Sequence, residues 1–330
     1  MLNLRKETLG SISRVAGQAK APVVEIRRGV KTHRLGFEVA LSVTIAGSSG
    51  GTVNSEGLLR CIESIRLLEN GSPTVDISGR MLGFLTGRAQ RQAASIGALS
   101  AATAATYTIA ASLVLDFASV FSAVPSESAY VERDARFPTQ IEVTFASDIQ
   151  GALISGTGLT VNSLTITPWQ EFDPNSTKMP FFLPRIKRAS SAAITATVTR
   201  FPILLYPEGE NRVEAHIFHG LVDGVTNANI FNGNVTYRGD KTRYIDALPY
   251  LALLNAQRIE RNFPAASAAY MEINNRRYGQ LSEAYYAGQD NNLRLEADVT
   301  LPSGSAATFD VYSLELEPIP GYTSALPQGW

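Results

Sequence analysis

The chain is poor in cysteine, histidine, tryptophan and charge, and each shortage removes a class of function. Of its 330 residues, one is Cys, three are His and two are Trp. A single thiol cannot build a disulfide framework, so folding in a reducing cytoplasm is expected. Cys61 sits in an apolar run and reads as a small buried hydrophobe. His216 and His219 are spaced like a metal pair, but on a strand they point to opposite faces, and no third ligand lies nearby to complete a zinc set. Charged residues make up 18%, below the usual ~25%. The surface is therefore rich in uncharged polar groups or buried against other subunits. A net charge of −1 gives no overall pull toward nucleic acid or membrane. No long apolar run is present either. The most apolar stretch, about 104–122, holds Asp116 and several Ser and Thr, too polar to span a bilayer. Met1-Leu2-Asn3-Leu4-Arg5-Lys6 lacks the apolar core of a signal peptide, so a soluble, non-exported protein is expected.

The usual marks of catalysis are missing as well. The loop Gly47-Ser48-Ser49-Gly50-Gly51 lacks the Gly-Lys-Ser/Thr ending of a phosphate loop and reads as a turn. No Gly-x-Ser-x-Gly elbow appears between a strand and a helix. The carboxylates do not single out an acid/base pair. Asn175-Ser176-Thr177 and Asn234-Val235-Thr236 match the glycosylation pattern, which carries meaning only after export. No catalytic residue, metal ligand or cofactor loop emerges. The weight moves to a structural or binding role.

What is present is a repetition. Val161-Asn-Ser-Leu-Thr-Ile-Thr-Pro168 and Val311-Tyr-Ser-Leu-Glu-Leu-Glu-Pro318 both fit V-x-S-L-x-[I/L]-x-P. Upstream, Met81-Leu82-Gly83-Phe84-Leu85 leads to Ala89-Gln90-Arg91, and Leu251-Ala252-Leu253-Leu254 leads to Ala256-Gln257-Arg258. Glu142-Val143-Thr144-Phe145 is matched by Asp298-Val299-Thr300-Leu301. The three echoes keep their order, which indicates two tandem copies of one mostly-β domain, each with one helix in the same place.

Residues 1–34 carry eight basic and two acidic side chains, a net +6 that leaves −7 for the remainder. Leu4, Leu9, Ile12 and Val15 suit one face of a short helix over 4–18. Two readings stand: a solvated, frayed terminus, or an arm that contacts lipid or nucleic-acid phosphates or docks on a neighbouring subunit. Phe37, Val39, Leu41, Val43 and Ile45 alternate as one face of a strand. Residues 58–68 are ambiguous in period. Asn70-Gly71 is a tight turn, and Met81 to about Ser95 a helix despite Gly83 and Gly87. Pro168, Pro174, Pro180 and Pro184 mark 168–190 as an irregular joint, because proline at that density opposes helix and central strand. In the second half, Asp246 is positioned to cap a helix reaching about Ile259, with Pro249 in its first turn. Each half offers about seven or eight short strands, which points to a sandwich or jelly roll rather than βαβ units.

This plan resembles the double jelly-roll major capsid proteins of tailless icosahedral viruses, including bacteriophages with an internal membrane. The resemblance rests on the runs 161–168 and 311–318, the paired helices near 81–91 and 248–258, and Asn70-Gly71 with Asp76-Ile77-Ser78-Gly79 leading into the first helix. It implies an all-β chain of two tandem eight-stranded jelly rolls, each with one short helix. The expected divisions are a basic N-terminal arm with the first strand (1–34), a first jelly roll (35–168), a proline-rich linker (169–190) and a second jelly roll (191–330). It further implies a non-enzymatic shell protein without cofactor or specific nucleic acid, made in the host cytoplasm and placed in the virion capsid. Three copies would close into a homotrimer of pseudo-hexagonal outline, and such outlines tile a shell with vertex or minor capsid proteins. The arm would lie inside, where Arg5, Lys6, Arg14 and Lys20 would meet lipid phosphates. Segment 120–136 and the Gly/Ser-rich loops are candidates for outer towers. One departure is the Ala-rich region 92–106, which has no counterpart in the second half. The alternative is a carbohydrate- or receptor-binding β-sandwich such as a spike or lectin. A cupin-like enzyme would need a histidine set that this chain lacks.

Overall fold

The computed structural model describes residues 4–18, 20–46, 52–54, 56–90, 104–117, 129–131, 138–174, 182–205, 211–240, 243–261, 269–275, 285–286 and 292–319. These fall into two compact units that divide between 174 and 182. The first contains β1 (Arg5–Thr8), β2 (Ile12–Ser13), β3 (Val24–Glu25), β4 (Lys31–Ile45), α1 (Gly57–Arg60), β5 (Ile62–Glu69), β6 (Ser72–Ile77), α2 (Gly79–Gln90), β7 (Ala105–Asp116), β8 (Thr139–Phe145), α3 (Ile149–Leu153) and β9 (Leu159–Asp173). The second contains β10 (Phe182–Ser190), β11 (Val198–Leu204), β12 (Arg212–Val222), β13 (Val225–Thr226), β14 (Phe231–Arg238), β15 (Arg243–Pro249), α4 (Tyr250–Arg261), β16 (Tyr270–Asn274), β17 (Tyr285–Tyr286), β18 (Arg294–Val299) and β19 (Ala307–Pro318).

In the first unit one sheet runs β1-β9-β4-β7, with β2 beside β1 on the same edge of β9. Its other sheet runs β6-β5-β8-β3. The second unit repeats the pattern as β10-β19-β12, with β16 and β17 on β12, and β11-β18-β14-β15. Counting β1 and β2 together as the first strand, and setting aside the short β13 extension of β12, both units order their strands 1-8-3-6 and 2-7-4-5. All the pairings given are antiparallel. This interleaving of chain ends is the eight-stranded jelly roll. The echoes fall on equivalent places. The V-x-S-L runs lie on the eighth strands β9 and β19. The helices α2 and α4 both follow the fifth strand. The Val-Thr pairs lie in β8 and at the end of β18.

The core follows the strand alternation. Phe37, Val39, Leu41, Val43 and Ile45 are all buried on β4, while Glu38, Ala40 and Thr44 between them are exposed. Asn70 and Gly71 both take positive φ (51° and 78°), the twist a two-residue hairpin between β5 and β6 requires. Ser78 caps α2, its Oγ accepting from the Met81 N–H at 3.1 Å. Gly79 is required there: a Cβ would lie 2.4 Å from the Leu59 carbonyl oxygen and 2.7 Å from Ile62 Cβ. Cys61 is fully buried, its thiol donating to Gly57 O at 3.3 Å, and burial pushes it up to about 12.

Several expectations change. Residues 4–18 hold no helix but two strands, 5–8 and 12–13, because β9 offers an open edge that satisfies their backbone groups, and Ile12 inserts into the core at 0% exposure. The run 58–68 resolves into the single turn α1 followed by β5, and α1 and α3 are extra one-turn helices. The stretch 169–190 is not irregular over its described residues: β9 continues to Asp173 and β10 begins at Phe182. Pro168 is tolerated in β9 because the donor it lacks faces the break between β1 and β2, where its carbonyl still accepts from the Leu9 N–H at 2.9 Å. Asp246 does not cap α4. It lies in β15, paired with Arg243 at 3.0 Å, and α4 starts directly after Pro249. The loop 47–51, most of 92–106 and 120–136, and the Asn175 sequon lie outside the described residues.

His216 and His219 do point to opposite faces of β12. The His219 ring stacks on Tyr270 with centroids 4.2 Å apart, and its Nε2 lies 2.9 Å from Thr226 Oγ1. His216 lies in the apolar interior beside Phe218 and Tyr237, with no hydrogen-bond partner for either ring nitrogen among the described residues. Burial alone pushes it down to about 3. The fold therefore favours the neutral ring: its stability is intact above about pH 6.5 and is lost as pH falls toward 3, by up to ~1.4 kcal/mol per unit. Burial, then Lys31, lowers His33 in the same direction. In urea unfolding at pH 7, 5 and 4, His216→Leu is expected to flatten the acid loss and cost little at pH 7. An acid limb as steep as wild type would show that His216 does not drive it.

Candidate functional site

The first unit carries an open sheet face that divides into two chemically different ends. It is built from β2, β9, β4 and β7, whose outward residues fall into register. Thr44 lies opposite Thr106 and Thr160, Ser42 opposite Thr108 and Ser163, Ala40 opposite Ala110 and Thr165, and Glu38 opposite Ser112 and Thr167. The hydroxyls bond across strands: Thr44 to Thr106 at 3.0 Å, Ser13 to Thr165 at 3.3 Å, and Asn162 Nδ2 to Thr44 Oγ1 at 3.0 Å. Most of these positions are exposed, and Ser42, Thr165 and Thr167 are half-buried. Among the described residues Glu38 is the single charge of this end. It accepts from Ser112 Oγ at 2.8 Å and from Trp169 Nε1 at 3.1 Å.

Beyond Glu38 the face turns charged and aromatic. The Trp169 indole lies across Gly36, so close that a Cβ there would meet ring atoms at 1.9–2.3 Å. The Lys6 ammonium covers the ring, 5.0 Å from its centroid, and also pairs with Glu171 at 3.3 Å. Arg34 bridges Asp116 at 2.8 Å and Glu171 at 3.8 Å. On the opposite side of the sheet, at its rim, Arg27 pairs with Glu7 at 2.8 Å and stands over the buried Phe172.

The four basic residues picked out in the sequence are not gathered. Arg5 and Lys6 are exposed neighbours on β1. Arg14 follows β2, is half-buried, and has no ion pair among the described residues. Lys20 belongs with the other sheet, bridging Thr144 and pairing with Glu142 at 3.0 Å. Among the described residues no group of three His, Cys, Asp or Glu could hold a metal, and no helix is long and apolar enough to cross a membrane. The hydroxyl face lies outside the apolar half of each alternation, which is the half that marks a strand and its core. Its signal was present in the other half: Ala40-x-Ser42-x-Thr44, Thr106-x-Thr108-x-Ala110-x-Ser112 and Thr165-x-Thr167.

No protein-family model matches the chain, and no curated protein does. Solved structures do. A chain in the atomic structure of Sulfolobus turreted icosahedral virus is 13% identical with a TM-score of 0.73, the match covering 98% of this chain and 94% of that one. The major capsid protein P2 of bacteriophage PM2 is 12% identical with a TM-score of 0.59, over 94% and 97%. A chain of the PBCV-1 virus capsid is 11% identical with a TM-score of 0.58, over 96% and 95%. At such identities the likeness is one of fold, and it extends over both jelly rolls.

Trp169 is the only described tryptophan, and it is folded down onto Gly36 rather than presented as a platform for a sugar. Gly36→Ala is expected to lift the ring, lower stability by about 1–3 kcal/mol and shift tryptophan emission to the red. An unchanged urea midpoint and spectrum would show that the ring has a second place to go.

Proposed function

We propose that this chain is a major capsid protein whose copies associate through their jelly rolls into the shell of a virion. The observation that carries this reading is the tandem pair of eight-stranded jelly rolls, with a helix after the fifth strand of each. That fold matches, over nearly its full length, chains from two whole-virus or capsid structures and one isolated major capsid protein. The role is structural, and the reading assigns the chain no chemical step. Three copies supply six jelly rolls and so a pseudo-hexagonal outline able to tile a surface, with vertex or minor capsid proteins filling the corners. Closed rolls suit this work, because they hide strand edges that would otherwise pair at random. A low charge share suits it too, since interface centres are depleted in charge. The expected division of a separate arm (1–34) from a roll (35–168) changes: β1 to β3 and the start of β4 are strands of the first roll, which runs from β1 to β9, and the second runs from β10 to β19. The inward-facing part is then the edge around β1 and β2.

In this reading Arg5, Lys6, Arg14 and Lys20 meet anionic lipid beneath the shell. Their environments rank them. Arg5 is exposed and Arg14 half-buried, both without an ion pair among the described residues. Lys6 and Lys20 must first leave Glu171 and Glu142. A basic residue near an anionic surface contributes ~1 kcal/mol. Arg5→Glu is therefore expected to weaken binding to phosphatidylglycerol vesicles several-fold at low salt, and Lys20→Glu less. Vesicle binding unchanged in the fourfold Glu variant would remove the lipid role.

The shell reading itself is tested by light scattering on the purified protein. The expected mass is about 107 kDa, three times the 35.6 kDa chain, with larger sheets or shells at higher concentration. A mass that stays at one chain at every concentration, together with glycan binding, would favour the carbohydrate-binding alternative.

A further inference from the structure

From the open sheet face we infer that the neutral end of the first unit's sheet, centred on Ala40, Thr108 and Thr165, is a contact surface for a second copy of this chain. This deepens the shell reading and rests on it. Three observations carry it.

The first is charge. An exposed protein surface is typically ~25–35% charged, whereas the four registered rows described above hold one carboxylate, Glu38, already engaged by Ser112 and Trp169. A sheet face that only met water would have no reason to exclude Lys and Glu. The neighbouring end of the same face, with Lys6, Arg34, Asp116 and Glu171, does not exclude them.

The second is complementarity. Ser and Thr hydroxyls both donate and accept. A face made of them fits another of its own kind with no like charges opposed, which a charged face cannot do. That selects an identical chain over an acidic or basic partner. The side chains are also short, so two backbones can approach closely.

The third is area. Three strands spaced ~4.8 Å apart and about seven residues long, with the two residues of β2, cover on the order of 375 Å², a little under half of the ~800 Å² per partner in a stable two-body interface. One such contact is weak, and it becomes effective where many identical copies repeat it, as in a tiled layer.

The test uses the full chain with Ala40→Cys, since native Cys61 is fully buried. Thiol labelling is compared between the assembled protein and the protein dissociated by dilution. Labelling is expected to slow at least tenfold on assembly. Ala40→Lys and Thr108→Lys, made separately, are expected to raise the concentration needed for assembly at least tenfold with the melting temperature unchanged. Equal labelling in an assembling protein would overturn this inference and leave the shell reading standing, as would full assembly of both Lys variants. Protection that appears only when a different protein is added would overturn it in favour of that partner. A wild-type chain that never associates would overturn both.

Discussion

Each unit is held together by its eighth strand, which sits in the middle of a sheet although it comes last in the chain. β9 pairs on one side with β1 and β2 and on the other with β4 over its whole length, from Lys31↔Asp173 to Ile45↔Leu159. β19 does the same between β10 and β12. Without β9, β1 and β2 have no partner in their sheet, and the row of core residues on β4 loses the neighbours Leu164 and Ile166. The helices, the hairpin at Asn70-Gly71 and the close packing at Gly79 are local features added to that long-range closure. Pairings so distant in sequence are slow to form, and their register is set by alternation, since a one-residue slip would turn the whole buried row outward.

That alternation is why much of the fold can be read from the residues. Phe37 to Ile45 states its buried face directly, and the paired Val-x-Ser-Leu runs lie on the eighth strand of each roll, although Leu164 is buried and Leu314 half-exposed. The failures have particular causes. Leu4, Leu9, Ile12 and Val15 have spacing that suits a helix, but a vacant edge on β9 outweighs so weak a local preference. Pro168 argues against a central strand only if its neighbour needs the missing donor, and the break between β1 and β2 removes that need. The hydroxyl face was harder still. Thr, Ser and Ala carry no strong signal one at a time, and only the register of three distant strands brings them together.

The sheet that bears this face also shows how the chain uses charge. Opposite charges are concentrated at the end of the sheet where β1, β9, β4 and β7 lie side by side, and there Lys6, Glu171, Arg34 and Asp116 form a chain of ion pairs. Exposed pairs of this kind contribute ~0–1 kcal/mol each, so they add little to the strength of the fold. They give one end of the sheet a wet, well-defined edge and leave the other end neutral. In the core of the second unit the choice is reversed. His216 lies among apolar side chains with no hydrogen-bond partner among the described residues, and burial disfavours its charged form, so acid works against that interior.

The place of the last strand also has a consequence for the making of the protein. The partners of residues 5–8, residues 169–172, leave the ribosome about 160 residues after them. At ~5–20 residues per second, β1 waits roughly eight to thirty seconds with its hydrogen-bonding groups in water. Its composition fits the delay: Arg5, Lys6, Glu7 and Thr8 are all exposed in the finished fold, so the waiting strand hides no apolar side chain and offers other chains little to stick to.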